Sequence, residues 1–182
     1  GRQEMHEALA TIQRRSEGLL QFVDSYRRLT RIPTPSFAPV SVDSLLSDVV
    51  TLLQPQVAAG DLSLTASVAP QELTLFADAQ LIGQVLTNLS LNAVEALAGR
   101  SNGRVQLRAA QDSYGRVKIS VTDNGPGIVP EALDQVFVPF YTTKKGGSGI
   151  GLSLSRQIMW MHHGQLMVSS TPDRETTFTL LF

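Results

Sequence analysis

Three prolines in the run Arg31-Ile-Pro-Thr-Pro-Ser-Phe-Ala-Pro39 split this chain into two parts with different periodicities. Proline cannot continue a helix, and it pushes the preceding residue toward extended geometry. Upstream, residues 3 to about 31 read as one long helix. Met5, Ile12, Leu19 and Tyr26 recur every seven residues. Ala8, Phe22 and Leu29 sit three further on, Arg15 interrupts that second row, and Leu9 and Val23 widen the stripe. Four heptads of this kind suit a coiled coil or a helix bundle, whereas a core helix of an ordinary globule is the plainer alternative. Gly18 is the weak point, costing roughly 1 kcal/mol against alanine. A stripe this long, ended abruptly by prolines, favours a bundle made with a partner chain. The spacing predicts a helical segment over residues 1–32, a Pro-rich linker over 33–40 and a second domain over 41–182.

The second part mixes helices and strands. Ser41 or Asp43 can cap a helix running to about Ala59 and ended by Gly60. Leu62, Leu64, Ala66 and Val68 alternate with Ser63, Thr65 and Ser67, the pattern of a half-buried strand. A short strand follows from Leu73 to Phe76. Asp78 then caps a long helix reaching about Ala98, with Leu81, Val85, Leu89 and Ala93 spaced by four. Strands are expected at Arg104 to Ala110 and Val117 to Thr122, around a turn at Asp112 to Gly115. After a Gly-rich stretch from Asp123 to Gly151, a helix over Leu152 to His162 precedes strands over Gln165 to Ser169 and Thr176 to Phe182. Adjacent antiparallel strands at the end make this an α+β protein, a two-layer α/β sandwich behind a long bundle-forming helix.

Composition narrows the function. Fifteen basic and sixteen acidic residues leave a net charge of −1, without the basic excess of a nucleic-acid binder. The absence of cysteine excludes a disulfide scaffold, cysteine-ligated zinc and thiol chemistry, and fits a reducing compartment. No apolar run approaches the ~18–20 residues needed to cross a bilayer. The chain opens on Gly1 without Met, as a piece of something longer would.

Three clusters carry possible chemistry. In Asn88-Leu-Ser-Leu-Asn92-Ala-Val-Glu95-Ala96, the two asparagines are four apart and share one helix face. Asparagine is mildly unfavourable inside a helix, and its carboxamide oxygen is a hard, neutral ligand suited to Mg²⁺; a solvated helix face is the plain alternative. Asp123-Asn-Gly125-Pro-Gly127-Ile follows a Val- and Ile-rich strand. A buried carboxylate there needs a hydrogen-bond partner, such as the amine of adenine, and the glycines allow close approach of the backbone. Asn-Gly also favours hairpins, but Asn-Gly-Pro-Gly before Ile128 and Pro130 makes a poor tight one. Lys144-Lys-Gly146-Gly147-Ser-Gly149-Ile-Gly151-Leu152 leads into a helix, where free N–H groups and the helix dipole suit phosphate. A flexible connection is its bland reading, and it is not a Walker A loop.

Together the clusters resemble the ATP-binding domain shared by sensor histidine kinases, DNA gyrase, Hsp90 and MutL. Asn88 to Ala96 is similar to the N box, Asp123 to Ile128 to the G1 box, Phe137-Val-Pro-Phe140-Tyr-Thr-Thr-Lys144 to the F box, and Gly147-Ser-Gly149-Ile-Gly151-Leu152 to the G2 box. All four fall in the family's order over roughly residues 41 to 182. The sensor kinases fit best, because Asn88 stands where the gyrase and Hsp90 branches have a water-activating glutamate. The helix run Arg-Arg-Ser-Glu-Gly-Leu-Leu-Gln-Phe-Val-Asp and the Arg-Ile-Pro-Thr-Pro exit are similar to nitrogen-regulation kinases of the NtrY and NtrB type.

The resemblance implies a Bergerat ATP-binding fold with ATP and Mg²⁺ as cofactors. It implies that Asp123 binds the adenine amine, that Asn92 ligates Mg²⁺ with Asn88 in support, and that Gly125, Gly127 and Ile128 shape the adenine pocket. Residues 124 to 150 correspond to an ATP lid. Tyr141, Thr142, Thr143, Lys144, Gly147, Ser148, Gly149, Ile150, Gly151 and Leu152 complete the nucleotide-binding set. The implied function is a two-component kinase domain that passes the γ-phosphate to a histidine on a hairpin helix outside this chain, for onward relay to a response regulator. The first helix corresponds to the second helix of the dimerisation hairpin, with homodimerisation through it. A cytoplasmic location is implied, any inner-membrane anchor lying upstream, with no contact to nucleic acid or membrane within this chain.

Departures are Glu95, where many such kinases carry a basic residue, and Pro172-Asp-Arg-Glu175, where a Gly-rich turn is usual. His162-His163-Gly164 stands in place of the common His-Gly-Gly. His6 belongs to a surface of the second hairpin helix, and His162 and His163 to packing at a helix end, so the chain is expected not to autophosphorylate. The competing functions are a non-catalytic dimerisation or interaction module with a degenerate ATP site, and an ATP hydrolase.

Overall fold

The computed structural model describes residues 2–58, 61–144 and 147–182. Within the first helix the side chains at 2–4, 7, 8, 10, 14, 17, 21, 22, 24, 25, 28 and 29 fall outside that description. Helix α1 spans Arg2–Thr30 and touches the last helix of the chain. The apolar row found in sequence stands free: Met5, Leu9, Ile12, Leu19 and Tyr26 are each more than half exposed. Ala8, Phe22 and Leu29, the second row, lie among the side chains outside the description.

After an extended stretch, strand β1 (Ala38–Ser41) pairs antiparallel with β3 (Thr74–Ala77). The sequence reading placed 38–40 in a linker because of Pro39. The two-stranded sheet leaves β1 an edge, and an edge strand tolerates a residue without an N–H. Ser41 then caps α2 (Val42–Ala58), its Oγ accepting from the Ser44 N–H at 3.3 Å. The expected stop at Gly60 lies outside the described residues.

The main sheet holds five strands in the order β2-β4-β5-β7-β6, with β2 Leu62–Ala69, β4 Gly103–Gln111, β5 Val117–Asp123, β6 Gln165–Thr171 and β7 Glu175–Leu181. Among the described residues only the β2–β4 pairing is parallel. Residues alternate strictly along β4 and β5: Val105, Leu107, Ala109, Val117, Ile119 and Val121 face inward, and their neighbours face solvent. One face of the sheet is therefore covered and the other is wet, which defines two layers. The covering layer is α2, α3 (Ala79–Ala96) and α5 (Gly151–Met161). The core between them contains Leu46, Leu53, Ile82, Leu86, Leu89, Leu107, Ile119, Ile158 and Leu180. The short helix α4 (Pro130–Leu133) lies in the Gly-rich stretch, where proline at the first position favours a helix start that the surrounding loop composition hid.

Asp78 ties three elements together. Its Oδ1 accepts from the N–H groups of Gln80 and Leu81 at 3.0 Å, which caps α3 as predicted. Its Oδ2 accepts from the Ser36 N–H at 2.8 Å, and its own N–H donates to His162 Nε2 at 3.1 Å. His162 in turn ends α5, with Nδ1 on the Ile158 carbonyl at 2.8 Å and its ring tilted against Phe37. The packing role expected of this histidine is what the fold shows.

The Ser36 N–H, then the Leu81 N–H, hold the Asp78 carboxyl below its ordinary value of 3.8. A carboxyl with a depressed folded-state pKa stabilises the fold above the ordinary value and loses that contribution as pH falls through the folded one. Asp78→Ala should therefore cost about 1–2 kcal/mol near neutrality. Urea denaturation at pH 7 and pH 3 checks this: the gap between variant and parent should narrow in acid.

Candidate functional site

Helix α3 has two faces. Ile82, Leu86, Leu89 and Ala93 enter the core on one face, while Asn88, Asn92 and Glu95 form an adjoining stripe that continues the Leu81–Val85 row at helical spacing. Asn88 is pinned: its Nδ2 donates to Ser155 Oγ of α5 at 3.0 Å. The two helices approach so closely there that a Cβ on Gly151 would fall 2.3 Å from Asn88 Oδ1. Glycine at this position is a packing requirement. The first turn of α5 has no side-chain cap, so its N–H groups and dipole remain available beside Asn88.

Asp123 closes β5, opposite Thr176 on β7, and is 5% exposed. Its Oδ1 accepts from the Gly125 N–H at 2.9 Å, and Oδ2 has no hydrogen-bond partner among the described residues. Burial raises its pKa above the ordinary 3.8, with the Gly125 N–H and the Lys144 charge opposing that shift. Such a carboxylate is an acceptor looking for a donor.

The loop after Asp123 is bolted to the β6–β7 hairpin. Gly127 has φ +75° and would carry a Cβ 2.6 Å from the Thr171 carbonyl, so no other residue fits. The Ile128 N–H donates to Ser170 Oγ at 2.8 Å, Ser170 Oγ bonds Thr176 Oγ1 at 2.9 Å, and the Asp173 N–H donates to the Pro126 carbonyl at 2.7 Å. The hairpin lacks the Gly-rich turn of the resembling family; Asp173 takes the left-handed position, φ 56°, which aspartate tolerates better than most residues.

Lys144 spans the gap between these parts. Its Nζ donates to Asn92 Oδ1 at 2.9 Å and to Glu95 Oε2 at 2.5 Å, and its charge reaches Asp123. Asn88, Asn92, Asp123, Gly125, Lys144 and Gly151 therefore border one region. Other sequence candidates serve the loop itself. Ile150 is buried, and Ile128 and Leu152 pack against the core while staying partly exposed. Thr142 Oγ1 accepts from the Lys144 N–H at 3.1 Å and sits where a Cβ on Gly147 would press, at 2.8 Å. Gly149 accepts from the Phe140 N–H at 2.9 Å. Tyr141 is half-buried, and Thr143 and Ser148 are exposed without side-chain hydrogen bonds among the described residues. Phe137 anchors the segment, edge-on to Phe178 and under the Arg156 guanidinium. Sequence reasoning passed over Ser155, Ser170 and Thr176. Thr176 and Ser155 carried a readable signal: one is polar at an inward strand position, the other lies one helical turn after Gly151.

A family model described as histidine kinase-, DNA gyrase B- and HSP90-like ATPase matches residues 77–182. Sensor histidine kinase ZraS of Klebsiella oxytoca is 31% identical over 176 residues, covering 97% of this chain and 38% of that protein. Histidine-protein kinase AtoS of Escherichia coli K12 is 30% identical over 96% of this chain and 28% of its own length. The chain thus spans well under half of these relatives. Among solved structures, the catalytic domain of histidine kinase ThkA superposes with a TM-score of 0.73 at 30% identity, covering 81% of this chain and 95% of that one. Full-length ShkA in complex with AMPPNP gives 0.79 at 27% identity over 98% of this chain and 38% of its own. ThkA in complex with response regulator TrrA gives 0.75 at 25% identity over 94% and 49%.

Burying a charge costs stability unless a ligand repays it, so site and stability should separate at Asp123. With a raised folded-state pKa, ionisation of Asp123 works against the fold at neutral pH, and asparagine removes that burden. Asp123→Asn should melt at or above the parent temperature yet bind adenine nucleotide about tenfold or more weakly. Parent affinity should also decline in acid at a higher pH than an ordinary aspartate would dictate. Calorimetry at stepped pH, beside thermal melts, checks both.

Proposed function

Because the chain belongs to the histidine kinase-, DNA gyrase B- and HSP90-like ATPase family, we propose that it is the ATP-binding catalytic part of a two-component sensor histidine kinase. One observation carries the reading: α3 offers carboxamides, not a free carboxylate, toward the phosphate region. Asn88 cannot take a proton from water and is engaged by Ser155, while the carboxylate on the same stripe of α3, Glu95, is engaged by the Lys144 ammonium. A site without a base for water suits transfer to an external nucleophile, here a histidine imidazole on a helix outside this chain.

The residues divide the work by chemistry. Asp123 Oδ2 accepts from the adenine amine, with the Thr176 hydroxyl at its side. Asn92 Oδ1 would hold Mg²⁺, and its present cationic neighbour supports that fit, since the oxygen already holds an ammonium at 2.9 Å. Mg²⁺ supplies charge neutralisation on the phosphate oxygens. Lys144 and the first-turn N–H groups of α5 add fixed positive potential, and phosphoryl transfer depends chiefly on such positioning and charge. The remaining sites of the set, Gly125, Gly127, Gly147, Gly149 and Gly151, let backbone approach the ligand or a neighbouring element.

We assign residues 1–32 to the second helix of a dimerisation hairpin, 33–40 to its exit and 41–182 to the catalytic domain. The uncovered row Met5, Leu9, Ile12, Leu19 on α1 supports pairing with a second copy in the longer protein. A response regulator is the proposed recipient of the phosphate, in line with the ThkA complex. Among the described residues no helix is long and apolar enough to cross a membrane.

Titrating ATP into this chain should show saturable binding that needs Mg²⁺, with no appreciable steady turnover. Phosphohistidine should form only when a chain bearing the upstream hairpin helix is added, and none on His6. Absence of binding by the folded chain would favour an interaction module. Mg²⁺-dependent turnover abolished by Asp123→Asn would favour a hydrolase.

A further inference from the structure

The assignment above gives Asn92 and Lys144 to the phosphates and leaves Glu95 unexplained. A carboxylate on the same helix face as the metal ligand, three residues away, is the wrong charge beside a polyanion. The structure supplies its partner. Lys144 Nζ lies within hydrogen-bond distance of Asn92 Oδ1 and Glu95 Oε2 at once, although 49 residues separate it from Glu95. Of the two groups bonded to the ammonium Asn92 is neutral, so the charge in direct contact with it is that of Glu95, with Asp123 acting from farther away. Its own loop contributes a backbone constraint, the Lys144 N–H bonded to Thr142 Oγ1.

We infer that Glu95 is a positioning residue that holds the Lys144 ammonium over Asn92, so that α3 presents a cation it does not itself encode. The inference rests on the reading that phosphates sit at Asn92. Both side chains are about half exposed, and an ion pair in that setting is weak and readily exchanged. The ammonium can therefore move from carboxylate to phosphate when nucleotide arrives, and it cancels the repulsion Glu95 would otherwise exert. Lysine suits the task, because its compact charge rides on a flexible four-carbon stem. The pair also explains how the site accommodates Glu95 where many related kinases carry a basic residue: the loop delivers the cation to the helix.

A charge swap tests this. The probe is the Mg²⁺ complex of a non-hydrolysable ATP analogue, titrated into the whole chain. Lys144→Glu, which sets two carboxylates beside the phosphates, should weaken binding about tenfold or more. Adding Glu95→Lys to that variant restores one cation and one anion beside Asn92, and affinity should return to within about threefold of the parent. In the nucleotide-free protein, Glu95→Gln should raise amide hydrogen exchange across residues 141–144, and the swap should return it toward the parent rate. A swapped variant as weak as Lys144→Glu alone, or exchange unmoved by Glu95→Gln, overturns the inference while leaving the kinase reading intact. Failure of the unmodified chain to bind the probe overturns the kinase reading and this inference with it. Circular dichroism of each variant separates lost binding from lost fold.

Discussion

Everything after the Pro-rich stretch depends on α3 lying between two incompatible environments. One face must be dry enough to pack Ile82, Leu86, Leu89 and Ala93 in the core. The other must stay polar enough to present Asn88, Asn92 and Glu95. Helical periodicity lets a single element satisfy both, because residues three and four apart share a face. The capping of α3 by Asp78, and the locking of its middle to α5 through Asn88 and Ser155, hold that rotation. A small turn of the helix about its axis would bury carboxamides and expose leucines, so core packing and site geometry are set by the same constraint.

The site is also where the fold accepts unfavourable terms. Asp123 is a buried carboxylate with one backbone donor, and its pKa rises in consequence. Gly127 and Asp173 occupy left-handed backbone positions where the loop after β5 meets the β6–β7 hairpin. Neither feature helps the core. Both bring a bare acceptor and a close backbone to the region that Asn92 and Lys144 also border. Costs concentrated at one end of the sheet, with a well-packed layer beneath, are the signature of a ligand site.

The two halves of the chain differ in how their apolar surface is handled. Between 42 and 182, large apolar side chains go mostly inside, and the covered sheet face alternates cleanly with the wet one. Along α1 the apolar row remains outside, with only slight contact to α5. That contrast supports a division of labour in which one half binds nucleotide and the other supplies surface for a second copy.

Much of this was written in local sequence. The heptad row, the Asp78 cap, the alternation in β4 and β5, and the Asn88–Asn92 spacing are short-range patterns, and short-range backbone geometry obeys them directly. The strand at 38–41 and the helix at 130–133 were hidden because proline and loop-like neighbours mask weak signals that tertiary pairing rescues. The motifs also announced residues that gather in one region of the fold, but not what each touches. That Gly151 must be glycine because Asn88 presses on it, that Ser155 holds Asn88, and that Lys144 lands on Glu95 are contacts between residues dozens of positions apart. Sequence determined the elements and the chemistry on offer. Only the packed structure decided the pairings, because a side chain's partner across space is set by how helices and strands stack, and no periodicity within one element encodes that.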